Sequence, residues 1–215
     1  MSPDSRQDDA LIPGTLPSQS RIEGLARHFI GLVIVGVLIG AYLLAIFGAR
    51  MSPARFARAM IPAQAVAVST QSSLASLPAM LDSAKRLGVR DATADFVLPL
   101  AVAIFRATSP AMNMAVAIYV AHLAGVELTP VTLLAGIAVA LVISIGSVSL
   151  PGSISFVVSI GPIALAMGVP VEPLALLVAV EMLPDIMRTL ANVTMNVAVT
   201  ANVDKTRGDD VEPVG

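Results

Sequence analysis

Glu181, Asp185, Arg188, Asn192 and Asn196 follow one another at steps of four, three, four and four residues. On an α-helix such steps keep side chains on one face. Two carboxylates, a guanidinium and two amides therefore share a stripe. The rest of the segment is apolar: Leu174 to Val180, Met182, Leu190, Val193 and Val197. A guanidinium presents a planar fork of donors that matches a carboxylate. Ionisable groups at bilayer depth are costly, so they are paired, turned inward and put to use. Pro184 is expected to kink this helix and could turn Glu181 off the stripe.

Composition places the stripe in a membrane protein. The 215 residues are 56% hydrophobic and 13% charged, with no Cys and no Trp. A net charge of −2 offers no basic patch for nucleic acid, and the lack of Cys excludes disulfides and thiolate metal sites. His28 and His122 fall at apolar-segment edges, where interfacial positions explain them. No clustered metal ligands and no cofactor motif are visible. Phe29 to Ala49 is twenty-one residues without a charge, enough to cross a hydrocarbon core of about 30 Å. It is too long for a signal-peptide core and reads as a retained helix. Residues 1–26 are polar, rich in Pro and Ser at their start, and expected to be disordered.

Beyond the first helix, the apolar segments are broken where a simple spanning helix would carry Leu. Ser69 to Ser73 and Ser76-Leu77-Pro78 interrupt one; Ser144, Gly146-Ser147, Ser149 and Leu150 to Ser153 interrupt another. Each half is shorter than a crossing, and each break ends in Leu-Pro, with Pro suited to open a new helix. The pattern predicts re-entrant helical hairpins over 54–88 and 129–168. Their serine-rich tips are tolerable at depth only where they line a buried cavity. Between them, Arg106 to Pro110 breaks a helix over 92–125. A charged helix over 172–202 and a polar tail over 204–215 follow. Two hairpins, each succeeded by a helix with polar groups at mid-depth, form the internal repeat expected of secondary transporters. The fold class is all-α, with residues 27–203 as a transmembrane domain. The many Met residues, among them Met112, Met114, Met182, Met187 and Met195, read as packing filler.

Basic residues follow the first helix (Arg50, Arg55, Arg58), the first hairpin (Lys85, Arg86, Arg90) and the last helix (Lys205, Arg207), while the connections at Glu127 and Glu172 lack them. The positive-inside rule puts the basic clusters in the cytoplasm and makes the hairpins enter from opposite sides of a multi-pass cell (inner) membrane protein.

Ser72 to Pro78, Phe96-Val97-Leu98-Pro99-Leu100, Ser144 to Ser147 with Leu150-Pro151-Gly152, and Asp185 to Thr194, in this order and spacing, resemble the C-terminal half of the dicarboxylate/amino acid:cation symporters, the glutamate-transporter family. The resemblance runs from about Arg27 to Lys205. It implies a mobile transport domain that moves against a trimeric scaffold of N-terminal helices. Those helices are not in this sequence, so the chain is expected to be a fragment, or to work in a homotrimer whose scaffold a partner supplies. The implied ligand is a small carboxylate. Arg188 would receive its side-chain carboxylate, Asp185 an amino group, and Thr189 and Asn192 the main carboxylate. Ser72 and Ser73 on one tip, Ser147 and Gly152 on the other, and Ser109 at the helix break would close around it. On their own chemistry, the tip serines could equally be small residues that let helices pack closely.

The sequence departs from the family where sodium binds. The family's Asn-Met-Asp-Gly-Thr is Phe105-Arg106-Ala107-Thr108-Ser109 here, and the last helix's sodium-binding Asp is Asn196; Glu181 keeps the acid upstream. A hard cation needs several oxygens, preferably anionic. Arg106 is therefore expected to stand in for bound sodium, with Glu181 as a candidate proton carrier and Asn196 as a neutral remnant. Proton coupling, exchange or uniport then replaces sodium symport. The plainer reading of Arg106 is a long side chain reaching towards the interface.

Two other classes compete. A serine hydrolase needs a base beside its nucleophile, and neither hairpin tip has a His or Lys nearby. A non-transporting remnant of the family would also carry these altered motifs. The transporter reading is the stronger, and no enzymatic activity is expected.

Overall fold

A computed structural model describes residues 16–146 and 153–209, and among these all regular structure is helical. The elements are α1 (Leu16–Leu43) with a π-helical turn at Leu44–Gly48, α2 (Pro53–Thr70), α3 (Leu77–Leu87), α4 (Asp91–Ile104), α5 (Ser109–Leu123), α6 (Pro130–Gly146), α7 (Ser153–Ala166) and α8 (Glu172–Asp209). The all-α expectation is met. α1 begins inside the segment whose polar composition suggested disorder, at Leu16-Pro17, where a first-turn Pro has its φ set for helix and loses no intrahelical bond.

Local sequence explains the breaks. The Ser52 hydroxyl caps α2 by accepting from the Arg55 N–H, and Pro53 occupies the first turn. α2 ends at Gln71 in the left-handed conformation (φ 51°), its N–H donating to the Ala67 carbonyl. The tip that follows is held by serine: Ser72 Oγ accepts the Ala75 N–H at 3.2 Å, and Ser76 Oγ donates to the Ser72 carbonyl at 2.8 Å. Pro78 sits in the first turn of α3. Gly88 then closes α3 at φ 83°, which a side chain adopts only with strain.

α4 ends at Ile104. Phe105 leaves helical geometry, the Ser109 N–H donates to the Arg106 carbonyl at 3.0 Å, and Pro110 starts α5. α8 continues through Pro184 as a single helix.

Burial sorts these elements into two apolar cores that share α8. One packs α2, α3, α4 and the π turn around Phe56, Met60, Met80 and Leu98, and takes Val193, Val197, Ala198 and Ala201 from α8. The other packs α5, α6 and α7 around Val120, Phe156, Ile160 and Ile163, and takes Leu174 from the start of α8. A small cluster of Ile34, Met112 and Ala191 joins α1, α5 and α8. The polar stripe of α8 therefore lies between two hydrophobic cores.

The outer surface is strongly apolar, with Leu32 and Phe96 both 71% exposed and Phe47, Val131 and Leu176 also exposed. Patches of this extent call for a membrane or another protein to cover them. Two described segments, His28–Gly48 and Asp91–Leu123, are long and apolar enough to cross a bilayer; Pro130–Ile145 and Phe156–Ala166 are apolar but shorter.

The polar end of α8 is fastened to the start of α4. Arg90 Nε donates to Asp204 Oδ1 at 2.7 Å and its Nη2 to the Asp204 carbonyl at 2.9 Å. Burial pushes the Asp204 carboxyl up, but hydrogen bonds from Thr93 and Arg90 and the Arg90 charge together outweigh it and hold the group below its ordinary value. A carboxyl lowered on folding stabilises the native state above its unfolded value and loses that contribution as pH falls through the folded one. Asp204→Asn should cost up to about 1 kcal/mol at neutral pH, the scale of a part-exposed pair. The difference from the natural protein should shrink as pH drops below about 3.9, as read by thermal unfolding of the detergent-purified protein.

Candidate functional site

From Asp185 onwards, the stripe proposed from spacing is buried. Asp185, Arg188, Thr189 and Asn192 are each about 5–6% exposed, and Asn196 is 1% exposed. A helix carrying these groups on one face folds inward only if other elements bring partners to them, since an unpaired buried charge costs several kcal/mol.

Arg188 has two such partners. Its Nη2 pairs with Asp185 Oδ1 one turn earlier on α8, and its Nη1 donates to Asn113 Oδ1 on α5 at 3.1 Å. Asn113 was not among the expected site residues. The sequence does hold a signal for it, as the one side-chain amide in α5.

The next turn of α8 docks on the helix break. Asn192 Oδ1 accepts both the backbone N–H and the hydroxyl of Thr108, each at 3.1 Å. Thr108 is fully buried, so this amide satisfies a backbone N–H that the break between α4 and α5 leaves open and a hydroxyl that has no access to water. Thr108 was also not expected, because a lone Thr in a break has no distinguishing pattern. The break and the first turn of α5 thereby bring Thr108 to Asn192 and Asn113 to Arg188, with Arg106 within electrostatic reach of Asp185 and Arg188. Arg106 is partly buried, and the charges of Arg188 and Asp185 both act on it.

Among the described residues, two buried polar atoms in this region have no hydrogen-bond partner: Ser109 Oγ and Asn196 Oδ1. Native interiors rarely leave such atoms unsatisfied, and each points to water, an ion or a ligand. One turn past Asn192, Asn196 also accepts the Thr200 hydroxyl on its backbone carbonyl at 2.8 Å.

The α2–α3 pair also packs against α8. Gln64 Nε2 on α2 donates to Thr194 Oγ1 at 3.1 Å. Ser72 is buried and Ser73 partly so; the Ser72 hydroxyl helps to hold the tip itself together. Ser147 and Gly152 lie outside the described residues, as does the side chain of Glu181, whose backbone is on α8.

No group of three or more His, Cys, Asp or Glu capable of holding a metal occurs among the described residues. A cavity of about 690 Å³ does exist, but it is apolar and lined by α1, α5 and α6 residues including Phe29, Met114, Ile118 and Leu141. None of the buried stripe residues of α8 lines it. The chemistry lies in the charged layer.

A helical bundle with an apolar exterior, crossing-length helices and a buried charged layer defines the class of integral membrane proteins. The chain belongs to the sodium:dicarboxylate symporter family, whose model matches residues 20–206. It is 29% identical over 198 residues to a proton/sodium-glutamate symport protein of Bacillus subtilis, covering 91% of this chain and 44% of that protein. It is 32% identical over 191 residues to excitatory amino acid transporter 2 of Mus musculus, covering 85% and 33%. Against C4-dicarboxylate transport protein 1 of Pseudomonas paraeruginosa it is 29% identical over 179 residues, covering 83% and 39%. The chain thus spans between a third and a half of the length of these relatives.

Removing the Asn192 amide should destabilise the fold independently of any ligand. Asn192→Ala leaves the Thr108 N–H and hydroxyl without an acceptor, at roughly 1–3 kcal/mol per buried unsatisfied group. Thermal unfolding in detergent should show a clear fall in Tm for Asn192→Ala and a smaller one for Thr108→Ser, which keeps the hydroxyl.

Proposed function

We propose that this protein is the solute-carrying part of a secondary transporter for small carboxylates, set in the cell membrane and coupled to something other than the sodium of its family's name. The observation that carries the reading is Arg188, a guanidinium about 5% exposed, positioned by Asp185 and Asn113 between two apolar cores. A buried cation of this kind is a ready counter-charge for an organic anion. The three relatives named above are a glutamate symporter, an amino acid transporter and a C4-dicarboxylate transporter, all carriers of acids or amino acids by name.

In this reading, the α2–α3 pair and the α6–α7 pair are re-entrant hairpins whose tips converge on the charged layer. Ser72 and Ser73 close one side, Ser147 and Gly152 the other, and Thr189, Asn192 and Ser109 contact the solute. The buried Ser109 hydroxyl, without a partner among the described residues, supports this assignment. The unit works in a homotrimer, carried by a scaffold outside this chain, and moves as a body across the bilayer.

The altered cation positions support the change of coupling. Ala107 and Asn196 offer no anionic oxygen, while Arg106 supplies a fixed positive charge next to Asp185 and Arg188. A guanidinium already in place removes the need to recruit a cation with the solute. Glu181 is the assigned proton carrier.

Two measurements test the reading. Arg188→Ala, reconstituted in proteoliposomes, should lose uptake of labelled succinate and glutamate by at least tenfold; uptake equal to that of the unchanged protein refutes the assigned role. Replacing external sodium with choline should leave uptake within about a factor of two, whereas collapsing the pH gradient should change it. Steep sodium dependence would remove Arg106 as the cation's substitute.

A further inference from the structure

The apolar cavity lies apart from the charged layer, yet it has the size and lining of a ligand site. At about 690 Å³ it falls within the range of small-molecule pockets, about 300–1,000 Å³, which are mostly apolar with a few placed polar groups. Its walls come from α1, α5 and α6, and among its described lining side chains Tyr119 and His122 alone carry an oxygen or nitrogen. The cavity opens sideways, since Phe29, Ile118, Ile137 and Leu141 line it and are all exposed. On a bundle whose exterior calls for a bilayer, hydrocarbon stands at that opening.

Depth and polarity decide which molecule fits. The α5 wall runs from Pro110, at the helix break, to His122, in the last turn. That stretch rises about 18 Å along the helix. One leaflet of hydrocarbon is about 15 Å deep, half of a core of about 30 Å. The polar atoms sit at one end of the run only. Tyr119 and His122 are the last α5 residues of the lining, and Phe29, which shares the cavity with them, follows His28, the other histidine of the chain. Amphipathic rings above an apolar wall are the arrangement of a membrane interface. Tyr119 already makes an interaction of its own, while His122 is half-buried with no side-chain hydrogen bond among the described residues.

A slot polar at one end and one leaflet deep matches a molecule polar at one end and one leaflet long. We infer that this cavity seats an acyl chain of a membrane phospholipid from the outer leaflet, with the chain along Met114, Ala115 and Ile118 and the headgroup at Tyr119, His122 and His28. The basic ends of the chain, on the cytoplasmic side, place this end of α1 and α5 outside. The seat is also tied to the charged layer. Pro110, Ala111 and Met114 line the cavity, while Asn113 in the same stretch of α5 accepts from Arg188. A seated chain therefore braces, from behind, the turn that positions the guanidinium.

The test needs no solute. Intact protein is reconstituted in vesicles of phosphatidylethanolamine and phosphatidylglycerol that contain phosphatidylethanolamine with a photoactivatable diazirine at mid-chain, and crosslinks are mapped by peptide mass spectrometry. Met114, Ala115 and Ile118 should be labelled at least fivefold more than Phe96, which is exposed but does not line the cavity. Ala115→Trp, which fills the slot, should cut labelling of Met114 and Ile118 at least fivefold and leave Phe96 unchanged; Ile118→Trp, read at Met114 and Ala115, serves if Ala115→Trp does not fold. Cavity labelling no higher than at Phe96, or unchanged in a folded Trp variant, overturns the inference. Displacement of the cavity label by excess palmitate, with Phe96 labelling unchanged, assigns the seat to a free fatty acid and overturns the phospholipid. The inference shares only the bilayer setting with the carboxylate reading. Arg188→Ala should therefore be labelled like the natural protein whatever becomes of uptake, and a lack of labelling at Phe96 and the cavity alike removes the shared setting and the inference with it.

Discussion

Holding a guanidinium inside an apolar bundle is the constraint around which this structure is arranged. Arg188 is almost wholly buried; its charge is matched within one turn by Asp185, and a second N–H donates across to Asn113 on α5. Neither partner alone would suffice: the carboxylate balances charge, and the amide sets the plane of the fork. The layer they form divides the hydrophobic interior into two cores, one around Phe56 and Met60, the other around Phe156 and Ile160.

The helix break serves the same constraint. An uninterrupted helix from Asp91 to Leu123 would satisfy all its backbone groups internally and bring none to α8. Pro110 and the non-helical Phe105 open the chain, and Asn192 accepts the donors of Thr108 that the opening exposes. Irregular backbone at this depth is tolerated because it is bonded within protein. The interruption therefore has a structural partner, and it also carries Arg106 into the field of Asp185 and Arg188.

The serine tip at Ser72 shows a different balance. Its side chain and carbonyl bond to Ala75 and Ser76 of the same turn, so part of the serine enrichment there is explained by the tip's own hydrogen bonding. A resemblance that assigns tip serines to ligand contact leaves this local role out. Family membership and the charged stripe are thus well anchored, while the tips combine both demands.

Much of this was legible in the residues. The steps of four and three from Glu181 to Asn196 gave a helical face, and the apolar residues between them gave its burial from Asp185 onwards, because period and hydrophobicity are local properties of the chain. Leu-Pro and Ser-Pro pairs marked the breaks for the same reason, since Pro acts on its own neighbours. Polar composition misled at Leu16, where helix begins well before the apolar run, since propensity and continuity with α1 outweigh local polarity. What only the tertiary structure decided was partnership: that Asn113 meets Arg188, that Thr108 meets Asn192, and that Gln64 reaches Thr194. These contacts join residues 75, 84 and 130 positions apart. No local pattern encodes such pairs, because a hydrogen bond across helices depends on how whole elements pack, and packing is set by the two cores together.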